Sequence, residues 1–338
     1  MERLRRAVID VGTNSVKLLV AEVAGREIQP ICEQSKQTRL GHGFYETHRL
    51  RPDAIAATAV AVAGFAAMAR EAQAVSIRVL ATSAAREAVN REELTAAIEE
   101  AARLKVEVIS GQQEAELGFQ GVTTDLQLGQ ASLLLMDVGG GSAQFIVGRG
   151  AQIHSCHSFP LGSVRLLETF PCSDPPKPSE LAACRQWLKE FLRKEVRPIL
   201  VKETGDSAKR PEVRGQRSGA DQSPLTSADA NSGGEVRLVG VGGTATILAC
   251  MEAKLEAFDR ARIEATPLSA ARVSWHLDRL WSLPLEERRK IIGLPANRAD
   301  VILMGVVTYQ SVMQEFDFPD LCVSTRGLRF AAVMDQTL

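Results

Sequence analysis

Two short junctions, Asp10-Val11-Gly12-Thr13-Asn14-Ser15 and Asp137-Val138-Gly139-Gly140-Gly141-Ser142, each follow an apolar run and repeat one design at widely separated positions. Such repetition constrains the fold, because it asks for a duplicated unit in which a buried strand ends on an aspartate and turns through glycine into a second strand. Glycine tolerates positive φ and lets backbone N–H groups approach an anion. Thr13, Ser15 and Ser142 add hydroxyl donors, and the aspartates can hold a cation. Two unrelated hairpin turns are the competing reading, and the shared Asp-x-Gly pattern with its hydroxyls speaks against it. A third junction, Gly242-Gly243-Thr244-Ala245-Thr246, follows an apolar strand at 237–241 and leads into a helix at 245–254, whose N-terminal dipole favours an anion.

The 338 residues suffice for two domains, each with its own core. A formal net charge of −1, with 45% hydrophobic and 5% aromatic residues, excludes general disorder and a strongly basic nucleic-acid binder. An anionic substrate must therefore meet a local basic patch. No membrane partner is expected either: no stretch approaches the roughly 20 uninterrupted apolar residues of a span. The chain enters a strand after residues 1–6 without a signal-peptide core, which points to the cytoplasm. Six cysteines show neither a CxxC pair nor regular spacing, so packed, reduced thiols are expected rather than zinc sites or disulfides. His154, Cys156 and His157 form the one local cluster of metal-ligand type, but alternation along a strand divides them between faces.

The first segment reads as βββαβαβα. Strands are expected at 7–9, 16–23 and 28–35, a loop at 38–44, a helix at 52–72, a strand at 77–81, a helix at 91–103, a strand at 106–109 and a helix at 112–122. After a loop near 125–130 the plan restarts, with strands at 133–137, 143–148 and 151–160, helices at 163–170 and 179–200, and the third junction. Helices at 268–282, 285–291 and 299–314 and a strand at 321–324 follow, and 326–334 closes the chain. Residues 204–235, rich in Gly, Ser, Asp, Pro and Ala, read as a mobile surface insertion. Two such halves around a cleft describe an α/β protein of actin/hexokinase/Hsp70-like (ASKHA) architecture, a duplicated ribonuclease H-like fold. The expected first domain is 1–123 plus about 303–338, and the second is 124–302. A P-loop would need GxxxxGK followed by Ser or Thr, and a dinucleotide fold GxGxxG opening a helix; neither occurs.

Several further motifs stand in order: Arg39-Leu40-Gly41, Ala81-Thr82-Ser83-Ala84-Ala85-Arg86-Glu87, Ser110-Gly111-Gln112-Gln113-Glu114-Ala115, Arg298-Ala299-Asp300 and Ser324-Thr325-Arg326-Gly327-Leu328-Arg329. With the three glycine junctions, they make the chain resemble the exopolyphosphatase and guanosine pentaphosphate phosphatase family over nearly its whole length. Longer members carry an additional C-terminal helical domain that 338 residues cannot accommodate, so the resemblance is to the short, two-domain form. It implies hydrolytic removal of the terminal phosphate from inorganic polyphosphate or guanosine pentaphosphate, with Mg2+ or another divalent cation, in a homodimer.

Such chemistry needs an in-line water, a group to orient it and neutralisation of phosphoryl oxygens. By the resemblance, Glu114 is the water-orienting base and Asp10 and Asp137 hold the metal. Gly12, Thr13, Asn14 and Ser15, Gly139, Gly140, Gly141 and Ser142, and Gly242, Gly243 and Thr244 supply phosphate-binding donors. Arg86 meets the terminal phosphate with its planar fork of donors; Arg39, Arg298, Arg326 and Arg329 are weaker candidates. After Gly141-Ser142 the family usually has Thr-Glu, where this chain has Ala143-Gln144. Gln144, placed here in the catalytic set, can hydrogen-bond a water but cannot take its proton. Thr325 and Phe330-Ala331 also depart from the usual closing motif, which has an acidic residue and Glu-Gly. A phosphotransferase of the same fold and a non-catalytic polyphosphate or alarmone sensor are the competing functions.

Overall fold

A computed structural model describes residues 3–204 and 236–334. Apolar alternation and tight turns give an antiparallel meander of β1 (Leu4–Val11), β2 (Ser15–Ala24) and β3 (Glu27–Gln37). Two short helices, α1 (Phe44–Thr47) and α3 (Ser83–Glu87), flank the crossover helix α2 (Pro52–Glu71), which opens on a proline at its first turn. It returns the chain to β4 (Ser76–Ala81), parallel to β1; α4 (Arg91–Ala102) then leads to β5 (Val106–Val108), parallel to β4. α2 has the length and apolar content of a span, yet half of it is buried, with Ile55, Val62 and Phe65 in the first core.

The second half repeats this plan. β6 (Ser132–Val138), β7 (Ala143–Arg149) and β8 (Gln152–Phe159) form the meander, and β9 (Arg237–Val241) lies parallel to β6. Among the described residues the first sheet has the order β3-β2-β1-β4-β5. The second has β10-β11-β9-β6-β7-β8, with β10 (Leu268–Ser269) and β11 (Asp320–Val323) at its far edge. Counted outward from each meander, the two orders match over five strands, with β10 added at the edge of the second, which is the duplication seen as topology: two ribonuclease H-like halves of ASKHA type.

The elements joining the halves are α5 (Gly111–Val122) and α14 (Leu328–Met334). α5 lays Ala115, Phe119 and Val122 on the second sheet against Leu133, Leu135 and Val241, while Leu117 packs towards the first. Phe330 and Val333 of α14 pack with Val8, Leu19 and Leu80 of the first sheet.

Around the second sheet lie α6 (Ser163–Thr169), α7 (Pro178–Phe191), α8 (Arg197–Thr204), α9 (Gly242–Glu252), α10 (Arg260–Glu264), α11 (Ala270–Ser282), α12 (Leu285–Arg288) and α13 (Ile302–Glu315). The expected return of 303–338 to the first domain needs correction. Leu321 and Val323 of β11 pair beside β9, and α13 is buried in the second core through Leu303, Val307 and Tyr309. Among the described residues of this stretch, only α14 crosses back. The single helix expected at 179–200 is broken by a π-helical stretch, Leu192–Val196, just before Pro198, which lacks the N–H a regular turn needs. Apart from Thr204, the expected insertion at 204–235 lies outside the described residues.

Candidate active site

The two meanders carry Asp10 and Asp137 one residue before the ends of their first strands and turn in the same way. Gly12 N–H donates to the Ser15 carbonyl at 3.1 Å, and Gly139 N–H donates to the Ser142 carbonyl at 3.0 Å. These two N–H groups are engaged within the turns, and Gly12 and Gly139 both line the cleft. The carbonyls of the turns are tied back. Thr13 and Asn14 carbonyls accept from Gly41, Thr38 and Arg39 N–H; those of Gly139 and Gly140 accept from Ser163, Val164 and Arg165 N–H. In a trans peptide the N–H points opposite to the C=O, so tethering the Gly139 and Gly140 carbonyls on the α6 side aims the Gly140 and Gly141 N–H groups the other way, into the cleft.

The turns also meet one another. A side chain at Gly141 would run into Tyr45, Ser83 and Thr13 of the first half, and one at Gly140 into Thr13. Glycine at both positions is what allows the lobes to close this far. At the third junction α9 begins at Gly242, three residues earlier than expected. Gly242 has φ +79° and lies against the Asp137 carboxylate, where a Cβ would collide with it. No side chain caps this helix, so its first-turn N–H groups remain for a ligand. α5 differs: Ser110 and Gln113 close a capping box on its N-terminus.

Asp10, Thr13, Asn14, Ser15, Glu114, Asp137, the 139–142 turn, Gly243 and Thr244 line one narrow cleft between the halves, about 80 Å³ in volume. It shares Asp10, Lys17, Asp137, Gly243 and Arg298 with a wider cavity of about 570 Å³. Burial pushes both aspartates above the usual carboxylate range, and Lys17 opposes the shift. Lys17 sits directly across the β1–β2 ladder from Asp10, and burial lowers its pKa while Asp10 raises it. Burial pushes Glu114 up to about 7; Arg86 opposes this, and Asp137 and Asp10 add to it. Arg298 is lowered to about 10, again by burial.

Arg86 is joined to the site through Glu114. Its Nη1 donates to Glu114 Oε2 at 3.1 Å and to the Ile109 carbonyl at 2.9 Å. Gln144 is 1% exposed and does not line the cleft; its Nε2 donates to Ser142 Oγ at 2.8 Å and Ser158 Oγ at 3.3 Å. Its amide nitrogen thus ties the second turn to β8. Of the weaker candidates only Arg298 reaches the cleft. Arg39 pairs with Asp300 at 2.9 Å, Arg326 reaches Thr124, and Arg329 donates to the Leu18 carbonyl at 2.6 Å and pairs with Glu33.

Sequence reasoning missed Lys17 and Tyr309. The signal for Lys17 was the one basic residue in a largely apolar strand, two residues after Ser15 and so on the same face. Tyr309, fully buried on α13, donates to the Met136 carbonyl at 3.0 Å, with the Val241 carbonyl 3.3 Å away, clamping the strand ends that carry Asp137 and Gly242. Nothing local marks it.

Comparison with known proteins places the whole chain in one family. The family model described as the Ppx/GppA phosphatase family matches residues 19–338. Exopolyphosphatase 2 of Mycobacterium tuberculosis is 31% identical over 324 residues, covering 93% of this chain and 92% of that protein. A crystal structure of the Aquifex aeolicus Ppx/GppA member superposes with a TM-score of 0.74 at 28% identity, over 98% of this chain and 97% of that one. An exopolyphosphatase from Cytophaga hutchinsonii superposes at 0.80 with 25% identity, over 97% and 96%.

Proposed function

Since the chain belongs to the Ppx/GppA phosphatase family, we propose that it removes the terminal phosphate of inorganic polyphosphate by attack of water. The observation that carries this reading is the convergence of three glycine junctions and one displaced glutamate on a single cleft. Donors from Gly140, Gly141 and the first turn of α9 hold the terminal phosphoryl oxygens. Glu114, anchored through Oε2 by Arg86, takes the proton of the attacking water on Oε1. A carboxyl ionising near 7 is poised for this at neutral pH.

The donor set suits a divalent cation. Asp10 and Asp137 are half-buried carboxylates lining the same cleft, and Mg2+ is commonly held by one or two carboxylates completed by water and substrate phosphates. Bound there, it would neutralise charge developing on the phosphoryl oxygens. Lys17 and Arg298 meet the rest of the chain where the cleft joins the wider cavity.

Guanosine pentaphosphate ends in the same phosphoanhydride. The apolar lining of the wider cavity by Ile247, Leu255, Phe258 and Leu294 favours it as a second substrate. The test is orthophosphate release from each compound with Mg2+ and no acceptor. Release is expected; strict dependence on added ADP or sugar would make the protein a phosphotransferase, and tight binding without turnover would make it a sensor.

A further inference from the structure

α6 presents two side chains one turn apart, Arg165 and Glu168, to the opposite half of the molecule. Glu168 accepts from the Gly43 and Tyr45 N–H groups at 2.7 and 3.1 Å, at the start of α1. Arg165 makes three contacts in three directions. Its Nε donates to the Gly141 carbonyl at 2.8 Å; its Nη2 lies 2.8 and 2.6 Å from the two carboxylate oxygens of Glu87; and its guanidinium lies over the Tyr45 ring, 3.9 Å from the centroid. Only a planar guanidinium can satisfy an in-plane carbonyl, an in-plane carboxylate and an aromatic face together.

What these contacts connect is more informative than their number. Gly141 belongs to the second phosphate turn, and its carbonyl is the one in that turn's glycine run that is tied by a side chain rather than by backbone. Glu87 belongs to α3, a helix of five residues. The same helix carries Ser83, which lines the cleft and donates to Glu87 at 2.9 Å, and Arg86, which anchors Glu114. Thus one side chain of the second half holds both the Gly141–Ser142 peptide and the short helix that orients the base.

Resting on the hydrolytic reading above, we propose that Arg165 is a positioning residue for the reaction: by holding the Gly141 carbonyl it fixes the Gly141–Ser142 peptide that ends the glycine run of the phosphate cradle, with its Ser142 N–H, and through Glu87 it locks that peptide in register with α3 and the Glu114 anchor. It touches neither substrate nor metal. Its effect falls on the transition state, because displacing cradle donors or base by about 1 Å costs on the order of a hundredfold in rate.

The test is steady-state hydrolysis of polyphosphate by the full chain, with thermal midpoints measured in parallel. Arg165→Ala is expected to lower kcat about a hundredfold while KM stays within about threefold. Glu87→Gln lowers kcat about tenfold, and the double variant is no worse than Arg165→Ala alone, since the pair acts as one unit. The exchange Arg165→Glu with Glu87→Arg restores the ion pair, and with it the thermal midpoint, but not kcat, because Gly141 has lost its donor. If Arg165→Ala does not fold, Arg165→Lys carries the test: it keeps the pairing with Glu87, loses the Gly141 bond and is about tenfold slower. A kcat within twofold of wild type in Arg165→Lys, or full recovery of kcat in the exchange variant, overturns the proposal. Wild-type protein that releases no orthophosphate overturns the hydrolytic reading and this one together; active wild type with unaffected variants overturns this one alone.

Discussion

Replacing Glu114 with glutamine should destroy activity and raise stability, and the size of the gain follows from the burial of the carboxyl. A glutamate that ionises at 4.5 in its ordinary setting is displaced to about 7 in the fold, with burial as the main cause. The folded value lies above the unfolded one. The fold therefore suffers nothing from Glu114 below pH 4.5, loses stability as pH rises, and bears the full penalty above about 7. At 1.36 kcal/mol per unit the displacement is worth roughly 3 kcal/mol. The amide escapes this penalty, which is already net of the attraction between Glu114 and Arg86. Glu114→Gln is thus expected to be about 3 kcal/mol more stable than wild type at pH 8, nearly equal at pH 5, and slower by 10²–10⁴-fold. Urea denaturation of both proteins at the two pH values, with chelator present, measures the first part; orthophosphate release with Mg2+ measures the second. A stability difference that does not change with pH, or a variant that keeps its kcat, refutes the reasoning.

Other perturbations probe the remaining parts of the site. Arg86→Met removes the group that holds the Glu114 pKa down, so the acid limb of the kcat/KM profile should move above pH 7; a limb that stays in place or moves down contradicts the pairing. Gly141→Ala puts a methyl group into the space of Tyr45, Ser83 and Thr13, and kcat/KM should fall about a hundredfold as the lobes are forced apart; unchanged activity would mean that closure is not required. Asp137→Asn should raise the Mg2+ concentration for half-maximal activity at least about tenfold, since a hard carboxylate ligand is lost, and a titration that overlays wild type would remove Asp137 from the metal site.

The duplicated halves were legible because their cause is local. Asp10 and Asp137 stand at the ends of apolar strands, the glycines that follow mark the turns, and buried apolar strands resume beyond them. The boundary near 303 was not, because α13 is apolar on nearly every face and its sequence does not say which core receives it; the pairing of β11 with β9 decides. Arg86 and Glu114 were legible as candidates, but their contact joins the first turn of α5 to α3 across intervening β-structure. The contacts of Gln144 were hidden for the opposite reason. It stands two residues beyond Ser142, and only the register of β6, β7 and β8 turns its amide towards Ser142 and Ser158. Arg165 carries no local mark either, since its role consists of contacts with Gly141, Glu87 and Tyr45.

Hydrolysis of polyphosphate in water enriched in oxygen-18, with Mg2+ and no acceptor, tests the attack of Glu114-oriented water on the terminal phosphorus. One heavy oxygen in each released orthophosphate and none in the shortened chain is the expected result. Heavy oxygen in the chain, or orthophosphate that appears without it, would contradict water attack at the terminal phosphorus.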